Sequence, residues 1–246
     1  MINSFKLFDP LHQKVRIGNR HDGGYVIALQ SLVKSTGLFS YGVGNDISFE
    51  KEYIDITGKN AFCFDHTIDN FEVPSEYFTL QYNKEGLSGV ATDNCNNFLE
   101  HYKQRNINGR VLFKADVEGA EYEYILNTDI SKMNSITTGV VFEFHTLQDP
   151  VNQSKFFECV RKLNEYYLLC HVHGNNYANN FTYSEIVEGT NFYKQYSIPE
   201  VIELSFVNKD LVEYEKLDTK TYPCPFLDRG NDLSKPDCDL RFLNTL

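Results

Sequence analysis

Gly37-Leu38-Phe39-Ser40-Tyr41-Gly42-Val43-Gly44 is a short apolar run that stops in two glycines spaced by one residue. The run reads as a buried strand, and the glycines as a tight loop whose bare backbone lets a ligand come close. The same pattern recurs downstream. Ser48 to Thr57 is helix-like, and Ala61-Phe62-Cys63-Phe64 is a second strand that ends at Asp65. Tyr77 to Tyr82 reads as a third strand, and Cys95 to Arg105 carries Phe98, Leu99 and Tyr102 on a helical stripe. Val111-Leu112-Phe113-Lys114-Ala115-Asp116 is a buried-type strand, and a helix follows from Glu121. Thr138 to His145 is a fifth strand, and Ser154 to Tyr166 sets Phe156, Phe157, Val160 and Leu163 on one helical face. Tyr167 to His173 and Val201 to Val207 complete the set. Strands separated by helices require right-handed crossovers, so the expected fold is a doubly wound α/β with a mostly parallel sheet covered on both faces.

The 246 residues suit one α/β domain over 1–246. Residues 1–36 are expected to form an N-terminal covering segment. Residues 217–246, punctuated by Pro223, Pro225, Gly230 and Pro236, are expected to form an irregular C-terminal cap. A formal charge of -11 argues against a sequence-independent grip on nucleic acid, which needs a basic footprint. The six cysteines include no C-x-x-C pair, and the chain opens with no apolar signal segment. No apolar run approaches the roughly 20 residues that span a bilayer. The expectation is a cytoplasmic protein with reduced thiols and no membrane span, its oligomeric state open.

Ligands of open α/β sheets lie beyond the carboxyl ends of the strands. Gly42 and Gly44 end the first strand, and Asp65 ends the second, where an acid can accept hydrogen bonds from both ribose hydroxyls. That pair fits a nucleoside. A nicotinamide dinucleotide is the alternative, but its fingerprint asks for a third glycine where Ile47 stands. Asp46 at the start of the next helix would also repel a pyrophosphate. An adenosyl sulfonium has no phosphate and carries positive charge, and suits the loop better.

Lys114-Ala115-Asp116-Val117-Glu118-Gly119-Ala120-Glu121 puts carboxylates at the sheet rim. Helix capping and dipole complementation account for such acids in many proteins, and Glu121 suits that role. Asp116 has further company, because Glu143-Phe144-His145 and His171-Val172-His173 end two other strands. Residues two apart share a strand face. If these strands are neighbours or nearly so, Asp116, His145 and His173 converge as catalytic groups or as ligands of a divalent first-row metal such as Fe or Mn. Mg²⁺ would ask for more oxygen, with Glu143 or Glu118 as candidates. The other reading makes one histidine a general base and the second structural. Arg16-Ile17-Gly18-Asn19-Arg20-His21-Asp22-Gly23-Gly24-Tyr25-Val26 contains a turn signal at Asp22-Gly23-Gly24. Arg16 and Arg20 beside it suit a carboxylate or phosphate.

The elements R-x-G-x-x-x-D-G-G-Y-V at Arg16 to Val26, Y-G-V-G at Tyr41 to Gly44, K-A-D-V-E-G-A-E at Lys114 to Glu121 and V-F-E-F-H at Val141 to His145 resemble the FkbM-like group of S-adenosylmethionine-dependent methyltransferases. The resemblance implies a seven-stranded sheet with a reversed last strand, and O-methyl transfer to sugars, nucleotide-activated sugars, glycan precursors or polyketide-type hydroxyls. Carried onto this chain, Gly42, Gly44 and Asp65 would line the cofactor pocket, with Arg20, Asp22, Tyr25 and Glu118 on the cofactor side. Asp116 and Glu118 would sit where cofactor and acceptor meet. The rival functions are an NAD-dependent oxidoreductase and a non-catalytic glycan-binding module on the same fold; a metal-dependent oxygenase fits poorly, because its usual scaffold is an antiparallel jelly roll.

Overall fold

The computed structural model describes residues 6–9, 13–186, 189, 191–212, 216–240 and 243. The expected segments 1–36 and 217–246 therefore fall partly outside the described residues. Seven strands form the main sheet: β1 (Leu38–Tyr41), β2 (Ala61–Phe64), β3 (Leu80–Asn83), β4 (Val111–Asp116), β5 (Thr137–Phe144), β6 (Tyr167–Gly174) and β7 (Ile202–Asn208). Their order is β3-β2-β1-β4-β5-β7-β6. β7 pairs antiparallel with both neighbours and the remaining pairs are parallel. This is the doubly wound sheet with a reversed last strand.

Strand alternation sorts the side chains into two layers. Phe39, Tyr41, Phe113, Phe142 and Phe144 join the larger core. That core also takes buried side chains from α3 (Phe98–Gln104), α4 (Glu121–Asn127), α5 (Ile130–Ile136) and α6 (Pro150–Asn164). From α6 it takes Phe156, Phe157, Val160 and Leu163, the expected stripe. Each such side chain contributes about 1.5–3 kcal/mol of burial. The opposite face presents Leu38, Leu112 and Val141 to α1 (Leu29–Lys34), α2 (Ser48–Thr57) and an antiparallel hairpin of Lys14–Gly18 with Gly24–Ala28. The Asp22-Gly23-Gly24 turn closes that hairpin.

Three boundaries differ clearly from the sequence reading, the first being α6, which begins at Pro150 rather than Ser154. Tyr77 lies in a turn, and β3 begins at Leu80. Cys95–Asn96 pairs with Gly86–Leu87, so the helix starts only at Phe98. The Asn97 side chain accepts from Leu99 N at 2.9 Å and sets that start. A second hairpin, Asn180–Ile186 with Tyr193–Pro199, carries a mostly exposed polar pattern and had no apolar signature. Among the described residues no helix is long and apolar enough to cross a membrane.

Candidate active site

A cleft of about 560 Å³ opens over the carboxyl ends of the central strands, within the size range of small-molecule sites. Gly42, Gly44, Asp65, His66, Thr67 and Leu87 line the part beyond β1, β2 and β3. Asp22, Asp46, Phe49, Lys114, Asp116 and Glu118 line the part beside β4 and the N-terminal hairpin.

Gly42 has φ +70°, and a Cβ there would lie 1.5 Å from the Asp116 carbonyl oxygen, so the tips of β1 and β4 touch through a residue that tolerates no side chain. Gly44 N donates to Asp65 Oδ2 at 2.9 Å. Thr67 donates to Asp65 Oδ1 from its amide at 2.8 Å and its hydroxyl at 2.6 Å. Burial opposes the charge of Asp65, but these donors outweigh it and hold the carboxyl below the usual range. An ionised acid therefore stands beside the glycine loop. At the start of α2, Asp46 Oδ1 accepts from Ser48 N at 2.9 Å. The protein's own carboxylate thus stands at the helix start, where its charge would oppose a pyrophosphate.

Asp116 and Glu118, from the end of β4, line the rim, and His145, from the end of β5, stands next to them outside the lining. Nε2 of His145 lies 3.6 Å from Asp116 Oδ1, 3.5 Å from Glu118 Oε2 and 3.8 Å from Glu143 Oε1, and its Nδ1 lies 3.5 Å from Glu121 Oε1. Glu121 does more than complement a helix dipole. Fully buried, it accepts from His145 N and Gly119 N, each at 2.8 Å, and locks the two strand ends together. Burial disfavours a charged His145, yet Glu121, Glu143 and Asp116 outweigh it and push its pKa up to about 9. One ligand atom from each of Asp116, Glu118 and His145 lies within 4.8 Å of the others, a spacing that a divalent ion would draw in.

The expected convergence of Asp116, His145 and His173 needs one correction. β7 lies between β5 and β6, so the register runs Asp116, Glu143, Glu203, His173 across four strands. Nδ1 of His173 faces Glu203 Oε2 and its Nε2 faces Asp237 Oδ1, each at 3.2 Å. Burial opposes its charge, but those acids hold its pKa well above the ordinary histidine value. With both nitrogens engaged and the ring charged, His173 ties the C-terminal segment to the sheet. His171 pairs likewise with Asp228 at 2.7 Å.

Tyr25 does not line the cleft but lies beneath it, its hydroxyl 2.7 Å from Glu143 Oε2 and 3.0 Å from Asp116 Oδ2. Burial, then Asp116 and Glu203, push the Glu143 carboxyl up to about 8. Arg20 is exposed in the hairpin turn and is not part of the lining, whereas Asp22 is. Arg16 donates to the His21 carbonyl at 2.6 Å, inside the turn. Lys114, His66 and Thr67 line the cleft without having been singled out, although Lys114 stands in the quoted Lys-Ala-Asp motif. Asn231, which donates to Asp22 and Glu203 at 3.1 Å each, was also missed, and nothing local in the polar tail marks it.

No curated protein matches the sequence. Among solved structures, the chain resembles a precorrin-6y C5,15-methyltransferase from Geobacter metallireducens at 11% identity and a TM-score of 0.35, over 74% of this chain and 86% of that one. It resembles the fibrillarin pre-rRNA processing protein of Methanococcus jannaschii at 9% identity and a TM-score of 0.40, over 72% of this chain and 68% of that one. Precorrin 8w decarboxylase from Methanobacterium thermoautotrophicum matches at 10% identity and a TM-score of 0.35, over 73% and 84% of the two chains. At these scores the strand order carries the fold assignment by itself. A family model described as the methyltransferase FkbM domain matches residues 8–168, well over half of the chain. The chain belongs to the FkbM methyltransferase family.

Proposed function

We propose that the protein is an S-adenosylmethionine-dependent O-methyltransferase, one domain over residues 1–246, acting on a hydroxyl of a sugar or a nucleotide-activated sugar. The observation that carries this reading is the contact of His145 Nε2 with both Asp116 and Glu118 on the rim of the cleft that holds Gly42, Gly44 and Asp65. A sugar hydroxyl is a weak acid and needs a proton acceptor, or a cation that lowers its pKa.

S-adenosylmethionine, when bound, supplies a methyl group already activated on a sulfonium. Gly44, where a Cβ would meet nothing within 4 Å, leaves room for it beside Gly42, and the Asp65 carboxylate suits its ribose hydroxyls. The protein's remaining task is alignment and desolvation. Asp116, with the charged His145 beside it, would take the proton of an acceptor hydroxyl at the rim as that hydroxyl received the methyl group from the sulfonium. A divalent ion such as Mn²⁺, Fe²⁺ or Mg²⁺ fits Asp116, Glu118 and His145, two carboxylate oxygens and one imidazole nitrogen, with Glu143 close behind. It would acidify the hydroxyl and orient vicinal ones.

The NAD-dependent alternative is disfavoured by Asp46 at the start of α2. The test is incubation of purified protein with labelled S-adenosylmethionine and a panel of nucleotide-activated sugars, with added divalent metal or with chelator. Labelled methyl ether is the expected product. Absence of cofactor binding by calorimetry overturns the reading. Activity that survives exhaustive chelation removes the metal alone, and ligand binding without transfer across the panel favours a glycan-binding module.

A further inference from the structure

The cleft is strongly acidic. Asp22, Asp46, Asp65, Asp116 and Glu118 all line it, and among the described lining residues Lys114 is the one lysine or arginine. Lys114 is 5% exposed, and that remnant faces the cleft. Its Nζ stands 5.0 Å from the centre of the Tyr25 ring, and no hydrogen bond or ion pair reaches it among the described residues. The nearest help is electrostatic. Glu50 of α2, buried with Ser40 donating to one of its oxygens, leaves its other oxygen without a partner and feels the Lys114 charge. A buried ammonium without an acceptor costs several kcal/mol of lost solvation, so its position calls for an anion.

We infer that Lys114 binds the carboxylate of the amino-acid end of the cofactor, with the acids of the hairpin turn and of the α2 start facing the ammonium of that same end. The inference rests on the proposed S-adenosylmethionine reading and deepens it. An amino-acid end is a zwitterion and needs both signs within a few ångströms. Asp22 and Asp46 supply the negative groups; they line the same cleft as Lys114 and stand close together, since a Cβ at Gly23, next to Asp22, would come 2.5 Å from Asp46 Oδ2. Lys114 supplies the positive one. Tyr25 fixes it from below, being itself held by Glu143 and Asp116. Asp65 and Thr67 stand across the glycine loop at the nucleoside side.

Calorimetric titration separates the two ends of the ligand without any turnover. The probes are S-adenosylhomocysteine, its carboxamide, and 5′-methylthioadenosine, which lacks the amino-acid end. The wild-type protein is expected to bind S-adenosylhomocysteine at least about tenfold more tightly than the carboxamide, a difference of about 1.4 kcal/mol. Lys114→Met is expected to abolish that preference while binding 5′-methylthioadenosine as the wild type does, and Lys114→Arg to retain part of it. Equal binding of acid and carboxamide by the wild-type protein overturns the inference, whether or not Lys114→Met folds. So does a preference that survives in Lys114→Met. A wild-type protein that binds none of the three overturns the cofactor reading itself, and the inference falls with it.

Discussion

The Tyr25 hydroxyl lies 2.7 Å from Glu143 Oε2 in the interior, directly beneath the candidate site. The same oxygen is 3.0 Å from Asp116 Oδ2. A phenol has one proton, so it cannot donate to both acids at once. Burial and the neighbouring acids push Glu143 up to about 8, which leaves it carrying a proton at neutral pH. Glu143 then donates to Tyr25, and Tyr25 donates to Asp116. Asn175 closes the other side of Glu143 with a 3.0 Å donation to Oε1. The chain aims Asp116 at the rim. Tyr25→Phe breaks it in the middle and leaves the buried Glu143 and the half-buried Asp116 short of a partner. The expected loss is about 1–3 kcal/mol in urea unfolding at pH 7. A loss indistinguishable from zero would mean that the bridge does not hold these acids.

The same carboxyl gives stability a pH dependence of known sign. Its folded value of about 8 exceeds the ordinary unfolded glutamate value, so between the two the folded protein binds more protons than the unfolded chain. Stability contributed by Glu143 is therefore full below the unfolded value and is lost as pH rises towards about 8. Glu143→Gln removes this titration. In the presence of chelator, the stability of the variant relative to wild type should climb steadily from pH 5 to about 8 and level off above it. Parallel curves for the two proteins would contradict the raised value.

Gly42 and Gly44 look alike in the sequence but carry different burdens. Both have positive φ, +70° and +52°. At Gly42 an added Cβ meets the Asp116 backbone, whereas at Gly44 it meets nothing within 4 Å. Gly44→Ala should lose about 1–2 kcal/mol from the left-handed backbone alone. Gly42→Ala adds a collision with backbone that cannot swing away, and should lose clearly more. Thermal unfolding of the two variants checks the ranking, and equal losses would contradict the contact between the tips of β1 and β4.

Those glycines were legible because their signal is local: an apolar strand, a turn, and an acid at the end of the next strand. Asp116 and His145 were legible for the same reason. The position of β7 was not. Where a reversed strand inserts is a property of the whole sheet, and Ile202–Asn208 reads as a buried strand whether it lies at the edge or between β5 and β6. That insertion puts Glu203 between Glu143 and His173 and removes His173 from the cluster. The tail was opaque in another way. Asp228, Asn231 and Asp237 sit in polar sequence without periodicity, and their partners His171, Glu203 and His173 are 28 to 64 residues away. Lys114 had a motif around it, but its isolation among acids is visible only in three dimensions.

The C-terminal segment is also pinned at its start. Lys14 Nζ meets Asp218 Oδ2 at 2.8 Å, with side-chain exposures of 3% and 1%, and Tyr222 donates to the same oxygen at 2.7 Å. Burial opposes the charge of Asp218, but Lys14 and Tyr222 outweigh it and hold the carboxyl at about 2. For a lowered acid, stability is present above the unfolded value and is lost as pH falls through the folded one. Asp218→Asn leaves a buried ammonium uncompensated and should lose about 3–5 kcal/mol at pH 7. The gap to wild type should close as the pH is taken towards about 2, the range in which Asp218 itself gains a proton. A gap that persists at low pH would assign the loss to packing rather than to charge.

Metal binding at the rim should be visible through protons. Glu121 and Asp116 keep His145 charged at neutral pH, with its pKa pushed up to about 9. A ligand nitrogen must be neutral, so a divalent ion held by Asp116, Glu118 and His145 has to displace that proton. Calorimetric titration with Mn²⁺ at pH 7.5 in buffers of different ionisation enthalpy should therefore report release of close to one proton per ion. His145→Gln should remove the proton release and weaken binding about tenfold or more, because one of three ligands is gone while Asp116 and Glu118 remain. His173→Gln should leave both unchanged, since His173 faces Glu203 and Asp237 on the far side of β7. Proton release that persists in His145→Gln would place the ion elsewhere, and no Mn²⁺ binding to the wild-type protein would leave His145 as the charged partner of its carboxylates alone.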